Sequence, residues 1–156
     1  MIRENYMPEK VELDLYRSIR IEEFPLGIFK DSEPVPGLLY PTFHPKPLPN
    51  GRTRVADVVT ETVDGVEWVR SGGGTSLFDR ANVFEAEGWA SFEIPEGTAM
   101  PDSLVVKNTG YNKRFKATHY QIESRAQLMT KTAMQGALDN LARCAIVRSI
   151  ELGRKI

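Results

Sequence analysis

The hydrophobic pattern opens on an alternation. Residues 11–21 place Val11, Leu13 and Leu15 on one side and Glu12, Asp14 and Tyr16 on the other. A period of two predicts a β-strand with one buried face. Arg17 shares the parity of the apolar set, so an ideal strand turns its guanidinium toward the apolar face. A charge there needs a partner or an anionic ligand, unless the strand end frays and leaves it solvated. Trp89, Ser91 and Glu93 alternate with Ala90, Phe92 and Ile94 in another strand that stops at Pro95. Residues 104–106 predict a short apolar strand broken by Asn108-Thr109-Gly110, and residues 117–123 one with His119 and Tyr120 at its middle. Residues 62–70 predict a short strand leading into three glycines. Residues 79–87 have a weak helical pattern ending at Gly88, and residues 55–60 leave strand and helix undecided.

The C-terminal part changes period. Leu128, Met134, Leu138, Leu141, Ala145 and Ile146 recur at three- and four-residue spacing, the apolar face of a helix. Ser124-x-x-Gln127 fits a capping box at its start. Arg143, Arg148, Arg154 and Lys155 weight its last half positively, as the helix dipole favours. Of the ten prolines, seven fall between residues 22 and 54, which disfavours helix and central strand there. Interleaved apolar residues such as Leu38, Leu39, Tyr40 and Phe43 predict an ordered loop packed over the domain. Strands, a glycine loop, more strands and a long helix read as an α+β fold, with residues 1–156 as a single domain.

Composition narrows the classes. A chain of 156 residues has room for one ordinary core. A net charge of −1 argues against a general nucleic-acid binder. Cys144 is the one cysteine, expected as a buried thiol within the helix, so no intrachain disulfide forms. His44 and His119 stand far apart in sequence, which makes a metal site improbable. No stretch has the apolar core of a secretory signal or approaches the ~20 apolar residues of a membrane span. Export is therefore expected by a route without a cleaved signal peptide.

Candidate chemistry gathers at residues 71–80, Ser-Gly-Gly-Gly-Thr-Ser-Leu-Phe-Asp-Arg. Bare glycine backbone admits close approach. Thr75 and Ser76 then supply hydroxyls, and Leu77 and Phe78 an apolar anchor, a build suited either to a polar ligand or to an ordinary turn entering a strand. Lys107, Lys113, Arg114 and Lys116 form a basic cluster suited to a phosphate or to plain solvation. His119 is a candidate titrating group. Gln121 and Glu123 put an amide and a carboxylate on one strand face.

An arginine ending an early strand, a hydroxyl pair after glycines and a later polar strand come in the order used by mono-ADP-ribosyltransferases. Leu15-Tyr16-Arg17, Leu38-Leu39-x-Pro41-Thr42-Phe43, Gly73-Gly74-Thr75-Ser76-x-Phe78-Asp79-Arg80-Ala81, Ile94-Pro95-x-Gly97-Thr98, Tyr111-Asn112-Lys113-Arg114, Ala117-Thr118-His119-Tyr120 and Leu138-Asp139-Asn140 resemble a family of small type VI secretion effector toxins. The resemblance covers nearly the whole chain. It implies a mono-ADP-ribosyltransferase-like split β-sheet core with a long C-terminal helix. It further implies a toxin that uses NAD in the cytoplasm of a competitor cell and is held in the producer by a cognate immunity protein. On that resemblance Arg17 binds a phosphate or ribose oxygen of NAD, and Gly74, Thr75 and Ser76 shape the pocket and hold the nicotinamide-side ribose. His119 contacts the adenine-side ribose or orients the acceptor, with Tyr120 beside it or packed inward. Arg114 takes part in anion binding, and Glu123 is the carboxylate that steadies an oxocarbenium-like transition state. Competing expectations are a toxin that occludes a host target without turnover and an RNA 2′-phosphotransferase-like enzyme.

Overall fold

The structure is a computed structural model that describes residues 9–155. Strand β1 (Leu15–Arg20) carries the first alternation, with Leu15 and Ile19 buried. A 3-10 turn at Ile21–Glu23 follows. The proline-rich stretch is ordered as expected. It holds two small ribbons, β2 (Phe29–Lys30) with β3 (Glu33–Pro34) and β4 (Lys46–Pro47) with β5 (Thr53–Arg54). Between them Leu38, Leu39 and Phe43 are buried in the main core.

Residues 60–70 form a hairpin rather than one strand. Strand β6 (Thr60–Val63) turns at Asp64-Gly65 into β7 (Val66–Arg70). Both turn residues have positive φ, 51° and 79°, as a two-residue hairpin loop with right-handed strand twist requires. Strand β8 (Thr75–Phe78) leaves the glycines, and β9 (Trp89–Ile94) matches the second alternation. The helix expected over residues 79–87 does not form. That segment is a series of turns, with Asn82 at φ 55°. Its Val83 and Phe84 pack on Phe78, Phe115 and Ala117 in a satellite apolar cluster, so tertiary packing overrides a weak local pattern.

Strand β10 (Leu104–Asn112) passes through the expected break at Asn108–Gly110 by means of a register shift, and pairs with β11 (Ala117–Ser124). The bulge spares the strand because Gly110 takes φ 114°. After β11 the expected helix start is wrong. The Ser124 hydroxyl donates to the Ala126 carbonyl at 2.7 Å, and β12 (Leu128–Thr130) pairs with β7. Helix α1 (Lys131–Glu151) begins only then, capped by Thr130, whose hydroxyl accepts from the Ala133 amide at 3.1 Å. The helical face is otherwise as expected, with Met134, Leu138, Leu141, Ala145 and Ile146 buried. Cys144 is half-buried rather than buried.

The main sheet has the order β10-β11-β8-β1-β9, and a second sheet the order β12-β7-β6. Leu15, Leu77, Ile94, Leu104 and Ile122 of the main sheet share one core with the helix and with Leu38 and Leu39 of the loop. This is the α+β class expected, with one long C-terminal helix. Strands β1 and β9 are paired along their whole length. By contrast β1 and β8 are in register at Tyr16 and Phe78 and part beyond that point, so the sheet is split on the side where β1 carries Arg17.

Candidate functional site

The split opens a cleft of about 490 Å³. Arg17, Ser18 and Arg20 of β1 line one side and Ser76 and Phe78 of β8 the other. Tyr40, Pro41 and Thr42 of the loop, Lys46 and Arg54 of the small ribbon, and Phe84 and Trp89 complete the lining. Four lining residues are cations, Arg17, Arg20, Lys46 and Arg54, against the single carboxylate Glu23. In a chain of net charge −1 this is a local excess, and a concave cationic surface concentrates anions. One wall is aromatic. The Phe84 and Trp89 rings lie 4.6 Å apart, Phe78 meets Phe84 edge-on at 6.4 Å, and the Arg20 guanidinium stands 4.6 Å over Trp89. Flat apolar rings beside cations suit a ligand that has both a planar base and phosphates.

Arg17 sits where the strands part. Its Nη1 donates to the Ser76 carbonyl at 3.2 Å and its Nη2 to the Tyr40 carbonyl at 3.0 Å. Nε is buried and has no hydrogen-bond partner among the described residues. Two of the five guanidinium N–H bonds are thus committed to neutral carbonyls. No ion pair joins Arg17 to a carboxylate among the described residues. Burial pulls its pKa below the ordinary value, Asp57 and Glu23 act the other way through space, and Arg54 acts with burial. An arginine still stays charged, so its charge here is held at contact by carbonyl dipoles, with Asp57 and Glu23 acting only at longer range.

The remaining sequence candidates divide. Ser76 lines the cleft beside Arg17. Thr75, its neighbour on the strand, faces the opposite way: it is fully buried, and its hydroxyl donates to the Leu39 carbonyl at 2.5 Å, tying the loop to the sheet. The backbone approach expected at the glycines is made by the chain itself. A Cβ on Gly74 would stand 1.7 Å from the Ile122 carbonyl oxygen, and one on Gly73 2.2 Å from that of Asp57. Gly74 lies outside the cleft lining.

His119 is the register partner of Phe78, and its ring stacks edge-on against Phe78 at 5.1 Å. Its Nδ1 hydrogen-bonds the Thr109 hydroxyl, and burial lowers its pKa. It therefore stands one strand behind the cleft wall. Tyr120 packs toward the main core, where burial raises its phenol pKa. Glu123 is buried at the far end of β11, accepting from the Gly72 amide at 3.2 Å and from Gln121 Nε2 at 3.0 Å. Gln121 is in turn the register partner of Ser76. Arg114 lies in the β10–β11 turn, over the Phe115 ring at 5.3 Å, and is not part of the cleft lining.

Sequence reasoning passed over Tyr40, Lys46, Arg54, Phe84 and Trp89 as site residues. Tyr40 was signalled by its place inside the Leu38-Leu39-x-Pro41 motif. The other four have no local signature, because loop docking and strand order bring them together.

The chain is 38% identical over 160 aligned residues to Toxin Tse2 of Pseudomonas aeruginosa, covering 96% of this chain and 98% of that protein. Its residues 1–150 match the family described as Tse2 ADP-ribosyltransferase toxin. A split sheet, a cationic cleft and a whole-length sequence match converge, and the chain belongs to the Tse2 ADP-ribosyltransferase toxin family.

Proposed function

We propose that this chain is an antibacterial type VI secretion effector that binds NAD in the cleft between β1 and β8. There it cleaves the nicotinamide–ribose bond and passes ADP-ribose to an acceptor, or to water, in the cytoplasm of the target cell. In the producing cell a cognate immunity protein holds it inactive. The observation that carries the reading is Arg17, a buried cation at the wall of a cationic cleft with uncommitted donors and, among the described residues, no ion-paired carboxylate.

In this reading the pyrophosphate of NAD meets Arg17, with Arg54 and Lys46 adding to the field. The nicotinamide or adenine ring lies against the Phe84–Trp89 wall. The Ser76 hydroxyl is placed to hold a ribose oxygen. The C–N bond to ribose breaks with its electron pair leaving on nicotinamide. The ribosyl oxocarbenium is then taken by a nucleophile, which loses its proton. Glu123 acts from behind the wall, through Gln121, on the strand segment that carries Ser76. His119, on β11 like Glu123, supports Phe78 across the strand pair.

The test is nicotinamide release from NAD by the purified protein, run beside growth arrest on expression in a bacterium without the immunity protein. Expected is release together with arrest, both lost in Arg17→Lys. Arrest with NAD left intact would overturn the transferase reading in favour of a toxin that occludes its target. Among the described residues no helix is long and apolar enough to cross a membrane.

A further inference from the structure

Helix α1 contributes nothing to the cleft lining, yet one of its carboxylates is tied into it. Asp139 Oδ1 accepts the Gly37 amide at 3.0 Å and Oδ2 accepts the Tyr40 hydroxyl at 2.7 Å. The two donors bracket a turn that the Tyr40 amide closes on the Gly37 carbonyl at 3.2 Å, with Gly37 at φ 95°. From that turn the Tyr40 carbonyl accepts Arg17 Nη2 at 3.0 Å. Among the described residues Asp139 forms no ion pair. Its charge is spent on two hydrogen bonds to one turn, and such charge-assisted bonds are about twice as strong as neutral ones.

We propose that Asp139 is a positioning residue for the cleft: by fixing the turn at residues 37–40 it sets where the Tyr40 carbonyl stands, and so how the Arg17 guanidinium presents its remaining N–H groups to an anion. The inference rests on the reading of the cleft as the NAD site. A plain loop staple would stabilise the fold without bearing on Arg17. The chain Asp139–Tyr40–Arg17 says otherwise, because Tyr40 is held at its hydroxyl and holds at its carbonyl.

Asp139→Ala, Asp139→Asn, Tyr40→Phe and the Asp139→Ala/Tyr40→Phe double variant are compared with wild type. Three readouts are taken: nicotinamide release across NAD concentrations, thermal melting, and the NMR signal of Arg17 Nε–H, assigned by its loss in Arg17→Lys. The KM for NAD should rise about tenfold in Asp139→Ala and in Tyr40→Phe, with kcat within about twofold. The double variant should be no worse than Asp139→Ala, because both act through one link. Asp139→Asn, which keeps one acceptor, should fall between. The Arg17 Nε–H resonance should move in every variant. Folded variants with wild-type KM and an unmoved Arg17 signal would overturn the inference, as would additive losses. If the wild type releases no nicotinamide, the NAD reading fails, and the Arg17 signal alone still decides whether Asp139 positions that residue.

Discussion

Two arginines near strand β1 face opposite fates. Arg154, beyond the end of helix α1, bonds Asp14 at 2.9 Å and Glu93 at 3.3 Å. Glu93 also accepts the Tyr16 hydroxyl at 3.1 Å. Hydrogen bonds to Asp14 and Glu93 raise the pKa of Arg154 further. This corner is partly exposed, and one guanidinium meets two carboxylates. Arg17, on the same strand as Tyr16, has the reverse arrangement: more burial, no carboxylate in contact among the described residues, two carbonyls and a pKa pulled down. The first arginine fastens the C-terminal segment to the β1–β9 edge. The second carries a charge compensated only at a distance, which costs stability until an anion arrives. Proteins retain that kind of residue where a ligand supplies the missing half.

The comparison is broken or sharpened by substitution at each site. The largest expected effect is at Arg17. Arg17→Lys keeps the charge but cannot hold two carbonyls and an anion with one fork. NAD cleavage should fall by about a hundredfold, growth arrest should be lost, and melting should still be cooperative. Arg17→Ala should be no more active. A fully toxic Arg17→Lys would show that only positive charge is wanted. Next comes Thr75→Val, which leaves the buried Leu39 carbonyl without its donor. Urea unfolding should show a loss of about 1–3 kcal/mol, with a smaller loss of activity, since the loop that reaches Arg17 is loosened.

At the other arginine the expected effects shrink. Arg154→Ala should leave NAD cleavage unchanged and lower the melting temperature by about 2 °C. That difference should fade in ~1 M salt, where screening acts within about 3 Å. The smallest effect is the acid limb from Asp14. Burial raises its carboxyl pKa, but the bonds from Arg154 and the Glu96 amide outweigh it, and the net shift is below the ordinary 3.8. A depressed carboxyl stabilises the fold above its unfolded pKa and loses that contribution as pH falls through the folded one. Asp14→Asn should therefore lower stability slightly at neutral pH, where the contribution is fully present, and flatten the profile below about pH 4, where the wild type loses it anyway, whereas Arg17 contributes no such limb.

What could be read in advance divides along physical lines. Alternation located β1 and β9, and parity put Arg17 with Val11, Leu13 and Leu15. The family resemblance located the split sheet. The helix start was misread because Ser124 and Gln127 mimic a cap, while β7 claims residues 128–130 as a strand and leaves Thr130 to cap the helix. The one strand expected over residues 62–70 is the turn and second half of a hairpin, because Asp64 and Gly65 both take positive φ. The glycines announced a close approach correctly and its partner wrongly: the Ile122 and Asp57 carbonyls occupy the space. For the site, parity joined Arg17 to the core but could not foresee that β8 would part from β1 beside it. His119 and Glu123 share the strand next to Ser76, and distance from the cleft is not written in strand parity. Lys46, Arg54 and Trp89 reach the cleft by docking of segments far apart in sequence, which no local pattern encodes.

The junction of β1 and β8 has a further consequence. Two strands that pair at Tyr16 and Phe78 and then part leave facing edges inside the sheet. Unfinished edges invite a third strand, from a loop of the same chain, from another copy or from an unrelated peptide. The Arg17 guanidinium takes the Ser76 carbonyl, an acceptor such an intruding strand would need, and places a charge in its path. The same side chain that awaits an anion therefore works as a gatekeeper against self-association, and at high protein concentration its loss should favour aggregation from within the sheet.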